Sequence, residues 1–457
     1  MVPLEAVAVR AIIYRRLAQS PARLVPLAFL GAILAGTALL TLPSARTGPD
    51  SAPFLTALFT ATSAICTSGL AVVPTGEYWS ALGTVFILAL TQIGGLGIMT
   101  MGTLLLLLVS RRLGLRNRLV LQAEGARLGL GDARRVLVRI ALVSFCVEAV
   151  ITVVVTARLF AAYDYPLDRA AWYGLFHAVQ SFNNSSFSLF PDSIQGFVGD
   201  GWICLPLTLG VIAGATGFPV IFELLSRWRQ PARWSTQTRL TVLGSLILLA
   251  AGFLLVLTFE WSNPATLGRL DTPTKFLAAF VQGTIPRSGG LNSVDYGAMR
   301  DTTAAAVTGL MFIGGGSAST AGGIKVTTFF LLGFVILAEL RGEPDVVIGR
   351  RRIAAATQRL ALTIALLGVA LASVSTLLMN RFTRGIPLYQ ELFEAVSALS
   401  TSGISNGTAA VLPTDGRVLL IVLMYLGRVG TVAAASALAL RTRPRLYRYA
   451  EERPLVG

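Results

Sequence analysis

Charge is scarce in this chain: of 457 residues only 13% are Asp, Glu, Lys or Arg, against 54% hydrophobic. A soluble fold of this length needs more charged surface, so water is not its principal solvent. Cysteine and histidine are nearly absent. Cys66, Cys146 and Cys204 have neither disulfide-framework nor metal-ligand spacing and read as packing residues of apolar segments. The single histidine, His177, reads as structural. No His-Glu-x-x-His, Gly-x-Ser-x-Gly or Gly-x-x-x-x-Gly-Lys-Ser/Thr motif occurs, which removes the usual zinc, serine-nucleophile and P-loop chemistries. An enzyme embedded in a membrane would need a nucleophile, an acid/base pair or a metal cluster at depth. Only scattered Glu148 and Arg428 are offered there, so a non-enzyme is expected. Met1 to Ser20 carries Arg10, Arg15 and Arg16 without a small-residue cleavage site and reads as a cytoplasmic N-terminus.

What is abundant is uninterrupted apolar sequence. Runs at 24–43, 81–110, 136–160, 203–225, 240–259, 304–340, 355–379 and 418–440 predict an all-α polytopic membrane protein with about eight transmembrane helices. The net charge of +15 raises nucleic acid as a partner, but the placement of the basic residues answers differently. Arginines gather at Arg15–Arg16, Arg111–Arg118, Arg134–Arg139, Arg227–Arg239, Arg350–Arg352 and Arg441–Arg448, at alternate ends of the apolar runs. The intervening loops hold Asp50, Glu77, Asp164, Asp168, Asp192, Asp200, Asp271, Asp295 and Asp301. The positive-inside rule makes the first set cytoplasmic and leaves both termini within the cell. Arg46, Lys275 and Arg384 depart from the pattern without overturning it. Nucleic acid is not expected; anionic lipid headgroups are.

Internal repetition carries more information. Phe59 to Leu70 aligns without gaps against Phe393 to Ile404, agreeing at Phe59/Phe393, Ala61/Ala395, Ser63/Ser397, Ala64/Ala398, Thr67/Thr401, Ser68/Ser402 and Gly69/Gly403. Weaker copies run from Phe176 to Phe187 and, with an offset at its start, from Phe280 to Leu291. Each copy is a short apolar stretch ending in small polar residues between two long runs, too short to span a bilayer. Such a segment is tolerated at membrane depth only when protein or a water-filled cavity surrounds it, which predicts four re-entrant loops around one central cation pore. The turns Thr67, Ser68, Gly69; Asn184, Ser185, Ser186; Ser288, Gly289, Gly290; and Thr401, Ser402, Gly403 are the candidate selectivity filter. Their carbonyls can replace a cation's hydration shell while the preceding short helices aim their negative ends at the same place.

A second set of small residues recurs roughly 25–30 positions after each turn: Gly94 to Gly97, Gly214 to Gly217, Gly314 to Ser317 and Gly427 to Gly430. Close helix packing is the ordinary reading of the first two. The third, Gly314, Gly315, Gly316, Ser317, Ala318, Ser319, Thr320, Ala321, Gly322 and Gly323, is too rich in glycine to persist as helix. It predicts a break that places flexible backbone and Lys325 beneath the filter as a gate. In the fourth, Arg428 takes the slot of Gly95, Ala215 and Gly315. An arginine at membrane depth marks a watery or paired functional site; Glu148 is one candidate partner, and the sequence leaves the pairing open.

With Asn183, the segment Phe187 to Asp192, the segment Asn292 to Asp295, Ala318 to Lys325 and Gly427 to Gly430 added, these motifs resemble the TrkH/KtrB superfamily of potassium-translocating subunits over nearly the whole chain. The lack of an extra leading helix pair places the resemblance nearest its KtrB branch. It implies repeat units at 24–110, 136–226, 239–340 and 355–440, with pore loops at 55–70, 172–187, 274–291 and 389–404 and a gate loop at 314–325. Segments 1–23, 111–135, 227–238, 341–354 and 441–457 become cytoplasmic. The resemblance further implies potassium as permeant ion, sodium as an activator, and a homodimer with one pore per protomer in the bacterial inner membrane. A KtrA-like ring of separate nucleotide-binding subunits is implied as regulator, since this chain has no nucleotide fold of its own. Ser186 departs from the family's filter glycine, whose slot favours positive φ. It raises the alternative of a sodium-permeable or weakly selective cation transporter. A secondary transporter built on inverted repeats is disfavoured because all the copies run in the same orientation.

Overall fold

The computed structural model describes residues 21–112, 130–383 and 385–440. The expectations attached to 1–20, to the centre of the 111–135 linker and to the 441–457 tail lie outside the described residues. The helices longer than a turn are α1 (Pro21–Leu40), α2 (Phe54–Ile65), α3 (Ala81–Arg112), α4 (Leu130–Ala162), α5 (Leu167–Phe182), α6 (Gly201–Thr216), α7 (Phe218–Arg227), α8 (Thr236–Glu260), α9 (Thr272–Thr284), α10 (Asp301–Phe312), α11 (Val326–Leu340), α12 (Ala355–Phe382), α13 (Leu388–Leu399) and α14 (Thr414–Leu440). A hairpin of two-residue strands, Val347–Ile348 against Arg351–Arg352, is the only sheet among the described residues and a small departure from an all-α chain.

Four helices are individually long and apolar enough to cross a membrane, over Ala81–Thr100, Arg135–Ala162, Thr236–Glu260 and Ala355–Phe382. Their outward faces carry Leu142, Val150, Val153, Leu246, Ile247, Leu366 and Leu377 exposed, while Thr67, Ser68, Asn184, Glu148 and Arg428 are buried. That inversion of a soluble protein's polarity is what a hydrocarbon solvent selects.

Two of the apolar runs are broken. The run at 203–225 bends by 101° between α6 and α7, where a straight span is expected from sequence. The cause is local: Gly217 takes φ +89°, and Pro219 follows in the first turn of α7, where it has no N–H to continue the ladder onto Ala215. The freed Ala215 carbonyl accepts from Gly316 N at 2.7 Å instead. The run at 304–340 is interrupted between Phe312 and Val326. Gly314 N donates to Ile324 O at 2.9 Å and Ile324 N to Phe312 O at 3.0 Å, closing the intervening chain into a loop.

The short helices sit between long neighbours and the arrangement closes on itself. α2 packs on α1 and α3, α5 on α4 and α6, α9 on α8, and α13 on α12 and α14. Across these groups α3 meets α5, α6 meets α9, α10 meets α13, and α14 returns to α1 and α2. The closing seam is fixed by Tyr425 Oη donating to Pro26 O at 2.8 Å.

Candidate functional site

The C-terminal ends of the short helices converge. Three of them end in the same way: Ser68 N donates to Ser63 O, Ser185 N to Gln180 O and Ser402 N to Ser397 O, at 2.8, 2.8 and 2.9 Å. In each, the preceding residue is left-handed, with φ +47° at Thr67, +56° at Asn184 and +47° at Thr401. This turn satisfies carbonyls that a helix end leaves open and reverses the chain within a few residues. Ser63 and Ser397 fix the returning strands through their hydroxyls, donating to Leu70 O at 2.7 Å and Ile404 O at 2.6 Å. The third turn differs, as the alignment offset anticipates. A 3-10 turn, Ile285–Arg287, extends the helix end, and Ser288 takes φ +97°.

At the next position Gly69, Gly290 and Gly403 have φ of +80°, +56° and +77°, whereas Ser186 is not among the positive-φ residues. Instead of bearing the strain expected of serine in a glycine slot, its strand takes another backbone and sends the hydroxyl inward. Ser186 Oγ lies 3.1 Å from both Ser68 O and Ser402 O. A Cβ on Gly290 or Gly403 would strike Ser186, and one on Gly69 would strike the Ser186 backbone. The four glycine-slot residues therefore meet at one point. The hydroxyls of Thr67, Ser68, Ser185 and Thr401 are buried and have no hydrogen-bond partner among the described residues. The carbonyl oxygens that meet at this point, Ser68 O and Ser402 O, are of the kind that can replace a cation's hydration shell. Outside this point opens a cavity of about 450 Å³ bordered by Gly69, Ser186, Gly290 and Gly403 and by the acidic side chains of Asp192 and Asp295.

Directly beneath the turns lies the loop between α10 and α11. Thr320 Oγ1 donates to Asn184 Oδ1 at 2.6 Å, Gly322 N to Ser288 Oγ at 3.0 Å, and Ser288 Oγ to Thr401 O at 3.3 Å. Gly322 is pressed so closely on Ser400 and Thr401 that no side chain fits. Gly314 and Gly315 likewise face Gly322 O and Ala215 O without room for a Cβ. Ser319 Oγ donates to Gly316 O at 2.6 Å, Ser317 Oγ is paired with Thr327 Oγ1 at 3.2 Å, and Gly323 and Ala318 are left-handed. Two cations clasp consecutive carbonyls of this loop: Lys325 Nζ donates to Ala321 O at 2.5 Å, and Arg428 Nη1 donates to Thr320 O. Arg428 is 2% exposed, and its Nε and Nη2 have no partner among the described residues. The candidate pairing of Arg428 with Glu148 does not form; Glu148 accepts from Gln92 and Asn183.

The recurrent glycines have a packing explanation. A Cβ on Gly94, Gly214 or Gly427 would strike the carbonyl oxygen of Ile65, Phe182 or Leu399, the last residues of α2, α5 and α13. His177 is structural, with Nδ1–H donating to Tyr173 O at 2.7 Å and Nε2 accepting from Ser188 at 3.0 Å. Cys66 and Cys204 are buried, but Cys146 lies exposed on α4 and is not a core packing residue. Arg287 is missing from the sequence reading. It is 5% exposed and ties the third turn to Ser245, through its carbonyl and hydroxyl at 3.2 Å each, and to Gly314 O at 3.4 Å. Its signal is positional: it aligns with Cys66, Asn183 and Ser400, where no other copy carries charge.

A closed helical ring with an apolar exterior and small-residue turns meeting at its centre is the fold of a polytopic membrane transport protein. The family model for TrkH, described as a cation transport protein, matches residues 28–442, and the chain belongs to that family. The Ktr system potassium uptake protein B of Bacillus subtilis (strain 168) is 36% identical over 96% of this chain and 97% of its own length. The protein of the same name from Vibrio alginolyticus is 35% identical over 95% and 94%. The potassium/sodium uptake protein NtpJ of Enterococcus hirae is 31% identical over 96% and 97%. The crystal structure of the potassium transporter TrkH from Vibrio parahaemolyticus superposes with a TM-score of 0.68 at 18% identity, covering 91% of this chain and 85% of that one, a likeness of fold.

Proposed function

We propose that the chain is the pore-forming subunit of a Ktr-type potassium uptake system, a homodimer in the bacterial inner membrane with both termini in the cytoplasm. Potassium enters the vestibule between Asp192 and Asp295, exchanges hydration water for oxygens of the four turns, and meets the loop from Gly314 to Lys325 as a gate. A KtrA-like nucleotide-binding ring moves that gate from the cytoplasmic side, where basic segments such as Arg350–Arg352 are available to it. The observation that carries this reading is the meeting of Ser68 O and Ser402 O, from opposite ends of the chain, at 3.1 Å from Ser186 Oγ. The same observation favours a second reading, a weakly selective or sodium-permeable pathway, since a hydroxyl alters the number and field of the coordinating oxygens.

Potassium and sodium uptake in cells lacking their own potassium systems tests both. Wild type is expected to restore growth at low potassium, Ser186→Gly to sharpen the preference for potassium, and Gly290→Ser to abolish uptake. Equal transport of the two ions by wild type selects the second reading. If protein is present in the membrane and moves neither ion, neither reading survives.

A further inference from the structure

Behind the second turn, away from the oxygens that face the vestibule, three polar side chains from three elements are joined. Glu148 of α4 is 3% exposed at the middle of an apolar helix. Gln92 of α3 donates through Nε2 to its two carboxylate oxygens at 3.1 and 3.3 Å. Asn183, the residue that ends α5 and precedes the left-handed Asn184, donates through Nδ2 to Glu148 Oε1 at 3.3 Å and to Gln92 Oε1 at 2.7 Å. The amide groups of Gln92 and Asn183 both donate toward the carboxyl group, an arrangement that accommodates its ionised form, and Asn183 Nδ2 also donates to Val179 O at 2.9 Å. No Lys or Arg forms an ion pair with it among the described residues.

A bare carboxylate at membrane depth is costly. A neutral side chain could anchor Asn183 at lower cost, so the charge needs a counter-charge to explain it. The cation in the adjoining turn supplies one. At the positions equivalent to Asn183 stand Cys66, Arg287 and Ser400; Arg287 bonds Ser245 and Gly314 and Ser400 bonds Val396 O, so among the described residues the link from this position to a carboxylate belongs to the turn that carries Ser186. We propose that Glu148 is a positioning residue for the permeant ion: held by Gln92 and Asn183, its carboxylate is a fixed negative charge that raises the affinity of the turns for a monovalent cation. This rests on the cation pathway proposed above. At an effective dielectric constant of about 20, removing a unit charge about 10 Å from a bound ion weakens its binding roughly tenfold.

The test is the initial rate of potassium uptake against potassium concentration, with the full chain in proteoliposomes. Glu148→Gln is expected to raise KM about tenfold while Vmax stays within about twofold. The exchange Gln92→Glu/Glu148→Gln keeps one carboxylate and one amide in the cluster and is expected to return KM to near the wild-type value. A scaffold role would lower Vmax or the amount of folded protein and leave KM unchanged. An unchanged KM in Glu148→Gln overturns the proposal, as does an exchange variant that folds but keeps the raised KM. If Glu148→Gln does not accumulate, the exchange variant decides alone: a near-wild-type KM supports the proposal and a raised one overturns it. Absence of saturable uptake by wild type is a different result and removes the pathway reading itself.

Discussion

At Ser186 a hydroxyl occupies the place where three other strands present only hydrogen, and the geometry leaves room for one such group. A side chain on Gly403 would collide with Ser68 O and with Ser186 Oγ, and its φ of +77° adds strain. Gly403→Ser is therefore expected to reduce potassium uptake by roughly 5- to 150-fold, since overpacking of this kind typically costs about 1–3 kcal/mol. The double change Ser186→Gly/Gly403→Ser relieves one of the two collisions and is expected to recover part of the loss in the same uptake assay. Repetition in the sequence drew attention to the twelve turn residues, but it carried no information on how a serine would be accommodated among them. The family's glycine slot favours positive φ, and at Ser186 the strand takes another backbone instead. The Glu148 cluster was equally hidden, because Gln92, Glu148 and Asn183 are far apart in the chain and nothing in their spacing joins them.

Among the elements, the loop from Gly314 to Gly323 was legible because its glycine density is incompatible with helix. The elbow at Gly217 was not, because one glycine and one proline in an apolar run also occur in continuous membrane helices. Gly217 and Pro219 read together are the local signal that could have found it. The loop is held from α14 by Arg428, whose Nη1 bonds Thr320 O, while Nε and Nη2 have no partner among the described residues. A cation on a cation pathway opposes flux. Arg428→Gln removes that charge and the clasp on Thr320, and is expected to raise the potassium uptake rate severalfold with the membrane level of protein unchanged. A fall in rate with unchanged protein level would identify Arg428 as a scaffold of the loop instead.

For the molecule as a whole, composition revealed an apolar solvent, and the resemblance implied four units around one axis; the contact that closes the ring could not be read, because it depends on which ends meet. The seam between α1 and α14 is held by the Tyr425 hydroxyl on Pro26 O, the carbonyl of a proline inside α1. Tyr425→Phe removes this bond and is expected to lower the unfolding free energy by about 1 kcal/mol, read as a small drop in the thermal unfolding midpoint of the purified protein. No change would place the seam's strength in its apolar packing. The closed ring also bears on heredity. In a pore assembled from four identical chains, one codon change would plant four hydroxyls at the axis, where the Ser186 geometry admits one. Four turns that meet at one point but are encoded separately within a single gene let mutation act on each of them alone, so an arrangement with one hydroxyl and three glycines, such as this one, can arise by one substitution at a time.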